Sequence, residues 1–352
     1  MNILIVAPSF KILGGVANHY LGLHDHWRFK INYIFQGKRK KIPAYFTLVP
    51  DYFNFIFKLI FYKFDCIIIN PSLRKYQLKR DSIYLRIARF FKKPVITFIH
   101  GWDDDVANQF INKPSWFVKN FGKSAFIYCL YSKFRDELLR MGIKCPVLLT
   151  TTKVSDKLIE NFDINKRIGK VNNLLFLARL EANKGIFITL DIFKNLKEKY
   201  PNLTLTICGS GSAEISAKEY VKNNSLQNVY FKGKVSGNKL IKVFEEADVY
   251  ILPTSHGEGM ATSVLEAMAF GLPVVTRPIG GINDFFKNGI MGELVESLDP
   301  KEFEKIILNL INNPEKTKMI SHFNYEYARS RFMASKVVKQ FETDIINHSK
   351  DY

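Results

Sequence analysis

The sequence predicts an α/β protein made of two doubly wound halves, each a parallel sheet with crossover helices. Three observations lead there. Short apolar runs alternate with longer amphipathic ones along most of the chain, as in parallel strands joined by helices. A polar, irregular stretch at residues 151–171 lacks a strong period and reads as a linker. The chain has 352 residues, 47% of them hydrophobic, which suits two medium cores better than one.

In the first half, strands are expected at Ile3–Ala7, Ile31–Phe35, Cys66–Asn70, Val95–His100, Ala125–Leu130 and Val147–Thr150, with helices at Asn18–His24, Tyr52–Lys63, Ser82–Phe91 and Lys133–Met141. The second half reads as strand "NLLFLARL", helix Gly185–Lys199, strand "LTLTICG", helix Ala213–Asn223, strand "NVYFKG", helix Asn238–Glu246 and strand "DVYILP". A further helix lies in "PTSHGEGMATSVLEAMAFGLPVV", and its "PVVT" is a strand. The tail holds helices at Lys301–Asn312, near Pro314–Ser330 and at Ser335–His348. The domains expected are 1–155, 156–330 and a C-terminal helix, 331–352, crossing back to the first domain. The two sheets are expected to face a central cleft, with ligands at the carboxyl ends of the strands.

The opening "MNILIVAPSF" reads as a first strand rather than a signal segment. The aromatic segment Tyr45–Ile69 is interrupted by Pro50, Asp51, Lys58, Lys63 and Asp65, so no span approaches the ~20 apolar residues of a membrane helix. Cys66, Cys129, Cys145 and Cys208 are far apart and form no CxxC pair, which suggests reduced thiols and a cytoplasmic location.

The net charge of +18 is uneven: residues 1–157 hold 26 Lys+Arg against 10 Asp+Glu, and residues 158–352 hold 25 against 23. Basic clusters at Gly37–Lys41, Leu73–Arg80 and Phe90–Pro94 suit an anionic surface such as the inner face of a membrane, or form a generic basic exterior. No nucleic-acid recognition motif accompanies them, so no nucleic-acid partner is expected.

Gly14 and Gly15 follow the first strand, where bare backbone amides can approach a phosphate or sugar, or simply begin a helix. His100 ends a strand, placed to hydrogen-bond a sugar or reacting hydroxyl or to tie down its loop. Asp103, Asp104 and Asp105 read as a capping or solvated run rather than a metal site. Arg179 and Lys184 bracket a strand-to-helix loop and could hold a diphosphate or a structural ion pair. Gly209 lies in the glycine loop "CGSGS".

With a helix starting near Gly257–Gly259, the helix dipole faces the cleft. Glu258 then accepts from sugar hydroxyls, and Glu266, ~12 Å further at ~1.5 Å per residue, reaches the other end of an extended ligand. Gly259, Ala261, Thr262 and Ser263 are small enough for close approach.

These segments, "LGGVANHY", "FIHGWD", "ARLEANKG", "CGSGS" and "EEADVYILPTSHGEGMATSVLEAMAFGLPVVTRPIGGINDF", strongly resemble the group-one retaining glycosyltransferases of the GT-B fold, glycosyltransferase family 4. The match covers most of the second half and is thinner in the first. The resemblance implies a nucleotide-sugar donor, a lipid-linked or growing surface-polysaccharide acceptor and no metal or other cofactor.

By the same resemblance, Arg179 and Lys184 hold the diphosphate, with amides near Gly15 and Met260. Glu258 binds the transferred sugar, Glu266 the ribose, and His100 lies beside sugar and acceptor. Ala261 stands near a place commonly held by glycine, and Ser210–Ser212 lacks a frequent acid, which leaves base and sugar open. A soluble acceptor, or a nucleotide-sugar epimerase with the same donor pocket, are the alternatives.

Overall fold

In the computed structural model, residues 1–11, 14–37, 44–257 and 259–349 are described below. Glu258 and the basic run Lys38–Lys41 lie outside them.

The chain forms two compact units. The first takes Met1–Lys153, Gly259, Met260 and the segment from Ala334; the second takes Val154–Gly257 and Ala261–Met333.

The strands of the first unit are β1 (Asn2–Pro8), β2 (Lys30–Gln36), β3 (Cys66–Ile69), β4 (Val95–Ile99), β5 (Phe126–Cys129) and β6 (Val147–Leu149). They form one sheet in the order β2-β1-β3-β4-β5-β6, and every pairing is parallel.

Alternate side chains of β1 feed two cores, as a strand's two-residue period requires. Leu4 and Val6 join the core under helices Ala44–Phe61, Lys75–Phe90, Ser115–Phe121 and Ser132–Arg140. Ile3, Ile5 and Ala7 join the core under helices Gly15–Leu23 and Ala334–His348.

In the second unit the strands are β7 (Asn173–Leu177), β8 (Thr204–Cys208), β9 (Val229–Gly233), β10 (Val249–Leu252), β11 (Val274–Thr276) and β12 (Gly292–Leu294). Their order is β12-β11-β10-β7-β8-β9, again all parallel.

The two sheets therefore share an architecture but not a strand order. The chain reverses direction across the sheet between β1 and β3 in the first unit, and between β7 and β10 in the second. Such reversals open a crevice beyond the carboxyl ends of the strands.

The stretch read as a linker is only partly one. From Val154 it belongs to the second unit, where Val154 bridges Met333 and its N–H bonds the Phe332 carbonyl at 2.7 Å. Arg167 is buried, and its guanidinium donates to the carbonyls of Phe244 (2.6 Å), Glu245 (3.3 Å), Ala247 and Phe270 (3.1 Å). Those carbonyls end helices Asn238–Glu246 and Thr262–Ala269, so one side chain caps two C-termini.

Four other readings change. Helix Ala44–Phe61 runs through Pro50 instead of starting after it. Helices Asp104–Asn112 and Ser115–Phe121 and strand β12 were not expected. The helix of the Glu258 segment starts at Thr262, after a non-helical Gly259–Ala261, so the eight residues from Glu258 to Glu266 are not a continuous helical rise. No helix among the described residues is long and apolar enough to cross a membrane.

Candidate active site

In the second unit, the loops after β7 and β10 flank the reversal point. They are stitched together at Asn183, whose carbonyl accepts from the Ser255 N–H (2.9 Å) and the Thr254 hydroxyl (3.1 Å). Gly185 allows this closeness: its φ is +85°, and a Cβ there would collide with the Pro253 carbonyl.

The stitching brings Arg179 and Lys184 together. Arg179 is exposed and pairs with Glu181 at 2.9 Å, whereas Lys184 is only 2% exposed. Burial, then the Arg179 charge, hold the Lys184 ammonium down to about 8, against an opposing pull from Glu181. His256 from the β10 loop completes the group: its Nδ1 faces the Asn183 amide at 3.4 Å. Burial, then Lys184 and Arg179, lower its pKa. Like charges gathered at a strand edge cost stability, and that arrangement is characteristic of sites that receive an anion.

Helix Thr262–Ala269 leaves the same loop. Ala261 at its N-cap supplies no capping side chain, and the buried Val264, Leu265 and Met268 fix the helix in the unit. Glu266 is half-buried near Tyr250, whose hydroxyl donates to the Leu177 carbonyl (3.0 Å) and meets Ser263 Oγ at 2.7 Å. Burial chiefly raises the Tyr250 pKa, and the Glu266 charge adds to it. Glu266 thus lies beside the end of β7.

Gly209 has a structural use as well. With φ +134°, its bare α-carbon lies against the Ala178 carbonyl, as Gly211 lies against that of Leu180. These glycines pack the β8 loop on the β7 loop.

In the first unit, His100 follows β4, and its Nε2 lies 2.9 Å from Asn70 Oδ1. Asn70 Nδ2 donates to the Val6 carbonyl (2.9 Å), which fixes Oδ1 toward Tyr20 OH (2.8 Å) and His100. An Oδ1 only accepts, so His100 carries its proton on Nε2 and presents Nδ1 as an acceptor. Burial, then the neighbouring His19, keep the His100 pKa well below its ordinary value, so the ring is neutral. Position alone left two roles for His100, and the Nε2 bond to Asn70 supports the loop-tying one.

A Cβ on Gly259 would lie 3.2 Å from the His100 carbonyl oxygen, and Met260 packs on the core beneath helix Ala334–His348. Gly14 and Gly15 open helix Gly15–Leu23, and a Cβ on either meets nothing among the described residues. Asp103 caps helix Asp104–Asn112 by accepting from the Val106 N–H (3.1 Å), and Asp104 pairs with Lys133 (3.1 Å). Glu258 lies outside the described residues.

Sequence reasoning passed over His256, Asn70 and Tyr20. His256 had a signal, since it stands two residues before Glu258 in the same segment.

Two parallel six-stranded units, with cations at a reversal point of one and a neutral histidine at a strand end of the other, define the GT-B class of glycosyltransferase fold. Solved structures agree with this assignment. A glycosyltransferase from Rickettsia africae aligns with a TM-score of 0.75 at 15% identity, over 100% of this chain and 99% of that one. Anabaena HepE in complex with UDP and glucose aligns at 0.70 and 16% identity, over 98% of this chain and 99% of that one.

Residues 159–327, a little under half of the chain, match the family model for glycosyl transferases group 1. An uncharacterized glycosyltransferase of Methanocaldococcus jannaschii is 25% identical over 96% of this chain and 97% of its own length. The amylovoran biosynthesis glycosyltransferase AmsK of Erwinia amylovora is 23% identical over 64% of this chain and 57% of its own.

Proposed function

We propose that the protein transfers a sugar, with retention of configuration, from a nucleotide-sugar donor to a lipid-linked or growing surface-polysaccharide acceptor. The observation that carries this reading is the cluster of Arg179, Lys184 and His256 at the crevice of the second sheet. The UDP and glucose held by HepE, of like fold, support such a donor, and the amylovoran assignment of AmsK supports a polysaccharide product.

On this reading Arg179 and Lys184 bind the diphosphate, with the amides of Gly14, Gly15, Met260, Ala261 and Thr262 close to phosphate or sugar. Gly209 and Gly259 shape the loops. Glu266 accepts from the ribose hydroxyls and Glu258 from the transferred sugar. His100 Nδ1 accepts from a sugar or acceptor hydroxyl.

As the glycosidic bond opens, negative charge grows on the leaving phosphate, where two fixed cations stabilise it and a metal is not required. The acceptor oxygen bonds to the anomeric carbon on the face that the phosphate leaves, and its proton passes to the departing phosphate oxygen.

Thermal shift and calorimetry across UDP-, GDP- and ADP-sugars test the reading. One of them should stabilise the protein, and product should appear only when an acceptor is added. An epimerised nucleotide sugar formed from donor alone, or no response to any nucleotide sugar, would overturn it.

A further inference from the structure

Helix Ala44–Phe61 is apolar on both sides. Phe55 and Leu59 are buried under it, while Phe46, Val49, Phe53, Phe57 and Ile60 are 53% to 68% exposed. Spacings of three and four residues place these five in one outward stripe, ~21 Å long at ~1.5 Å per residue. A contiguous apolar stripe of this size on a folded unit marks a surface that something covers.

The adjoining helices in the same layer add basic residues: Lys75, Lys79, Arg86 and Arg89 on one and Lys119 on the next. Tyr52 of the stripe helix bonds the Arg80 carbonyl (3.0 Å) on helix Lys75–Phe90, and Arg86 of that helix bonds Asn120 (2.9 Å) on helix Ser115–Phe121. Helix Lys75–Phe90 borders two cavities, one shared with residues 109–116 and the other with helix Ser115–Phe121. One, of about 530 Å³, is lined by Lys75, Lys79, Lys113, Phe110 and Trp116 among others; the next, of about 310 Å³, by Arg86, Arg89 and Lys119 among others. Among the described residues, no carboxylate lines either cavity.

We infer that this helical layer of the first unit is a docking face for an anionic lipid bilayer. The aromatic stripe enters the headgroup region, and the Lys75–Lys79–Lys113 cavity takes a lipid phosphate. Charge selects this occupant. A second copy docked about a two-fold axis would set these cations against their own kind, whereas an apolar helical stripe flanked by lysine and arginine suits an interfacial layer of anionic lipid. The inference goes beyond the transfer reaction, and its test needs neither donor nor acceptor.

The full chain is sedimented with vesicles of phosphatidylcholine, with and without phosphatidylglycerol. Binding should require phosphatidylglycerol and weaken as salt is raised. Lys75→Gln/Lys79→Gln/Lys113→Gln should lower the affinity by about 10-fold or more. Phe53→Ser/Phe57→Ser should lower it by about 10-fold, because the stripe no longer inserts. In the otherwise native chain, Phe57→Trp should shift its emission to the blue on anionic vesicles, a readout that holds even where the multiple variants fold poorly.

Absence of vesicle binding, or wild-type affinity in both multiple variants, overturns the inference. So does a wild-type dimer, without vesicle affinity, that Phe53→Ser/Phe57→Ser turns into monomers. Displacement from vesicles by inorganic phosphate alone at low concentration would make the cavity a site for soluble phosphate and likewise overturn it.

Discussion

Lys184 is buried next to Arg179, with the Glu181 carboxylate opposing their repulsion, and a bound anion would favour the pair further. Lys184→Ala should cut kcat/KM by about 10²–10³, as removal of one preorganised donor does, with an unchanged far-ultraviolet spectrum; turnover within a few-fold of wild type would show that the group lies off the reaction path. Because its pKa is held down to about 8, donor affinity should fall as pH rises through about 8, and a bound diphosphate should move that break upward. Stability responds with the opposite sign. Between about 8 and the ordinary 10.5 the folded chain holds fewer protons than the unfolded one, so this group's contribution rises with pH over that window. Calorimetric titrations across that range measure both. Asn70→Ala removes the acceptor of Tyr20 and His100 and the donor to Val6, and should cost about 1–3 kcal/mol in urea denaturation. His100 and Arg179 were legible in the sequence because a polar residue following an apolar run falls at a strand's carboxyl edge, and Lys184 because it stands at the next helix entry. Asn70 and Tyr20 were not, since they meet across 50 residues and only the strand order brings them together.

Among the loops and helices, Gly185 and Arg167 hold the second unit in shape. Gly185→Ala forces a side chain into left-handed backbone and onto the Pro253 carbonyl. It should destabilise the second unit by about 1–3 kcal/mol and weaken nucleotide binding more than distant surface changes do, as read by thermal shift with and without UDP. Arg167→Lys keeps the charge but cannot span four carbonyls with one ammonium, so urea denaturation should show a loss of about 2–4 kcal/mol. An unchanged midpoint would mean that the two helix ends find other donors. Most strands were visible because parallel strands buried on both faces are continuous apolar runs, as "CIIIN" and "VITFIH" are. β12 was missed because its three residues, Gly-Glu-Leu, carry no such run. Helix Asp104–Asn112 was hidden by its acidic start, of which Asp103 proves to be the cap. Arg167 was lost in a stretch whose lack of period concealed a single long-range anchor.

At the scale of the molecule, the first unit is assembled from distant parts of the chain. Helix Ala334–His348 buries Val337, Val338, Phe341 and Ile345 in its core. Asp344 accepts from the Tyr128 hydroxyl (2.8 Å), and Glu342 accepts from the Arg28 and Phe29 N–H groups (2.6 and 3.1 Å). Four such side chains contribute ~6–12 kcal/mol of burial at ~1.5–3 each, as much as a whole domain's net stability. A chain ending at Met333 should therefore lose the cooperative unfolding of the first unit while the second keeps its own transition; two intact transitions in calorimetry would contradict this.

The same arrangement imposes a timetable on biosynthesis. All of the second unit lies within residues 154–333 and can fold once they have emerged from the ribosome, whereas the earlier-made residues 1–153 lack part of their core until Ala334–His348 follows. Throughout that interval one face of the earlier sheet is covered by helix Gly15–Leu23 without its C-terminal partner, an exposed apolar surface of the kind that holding chaperones bind.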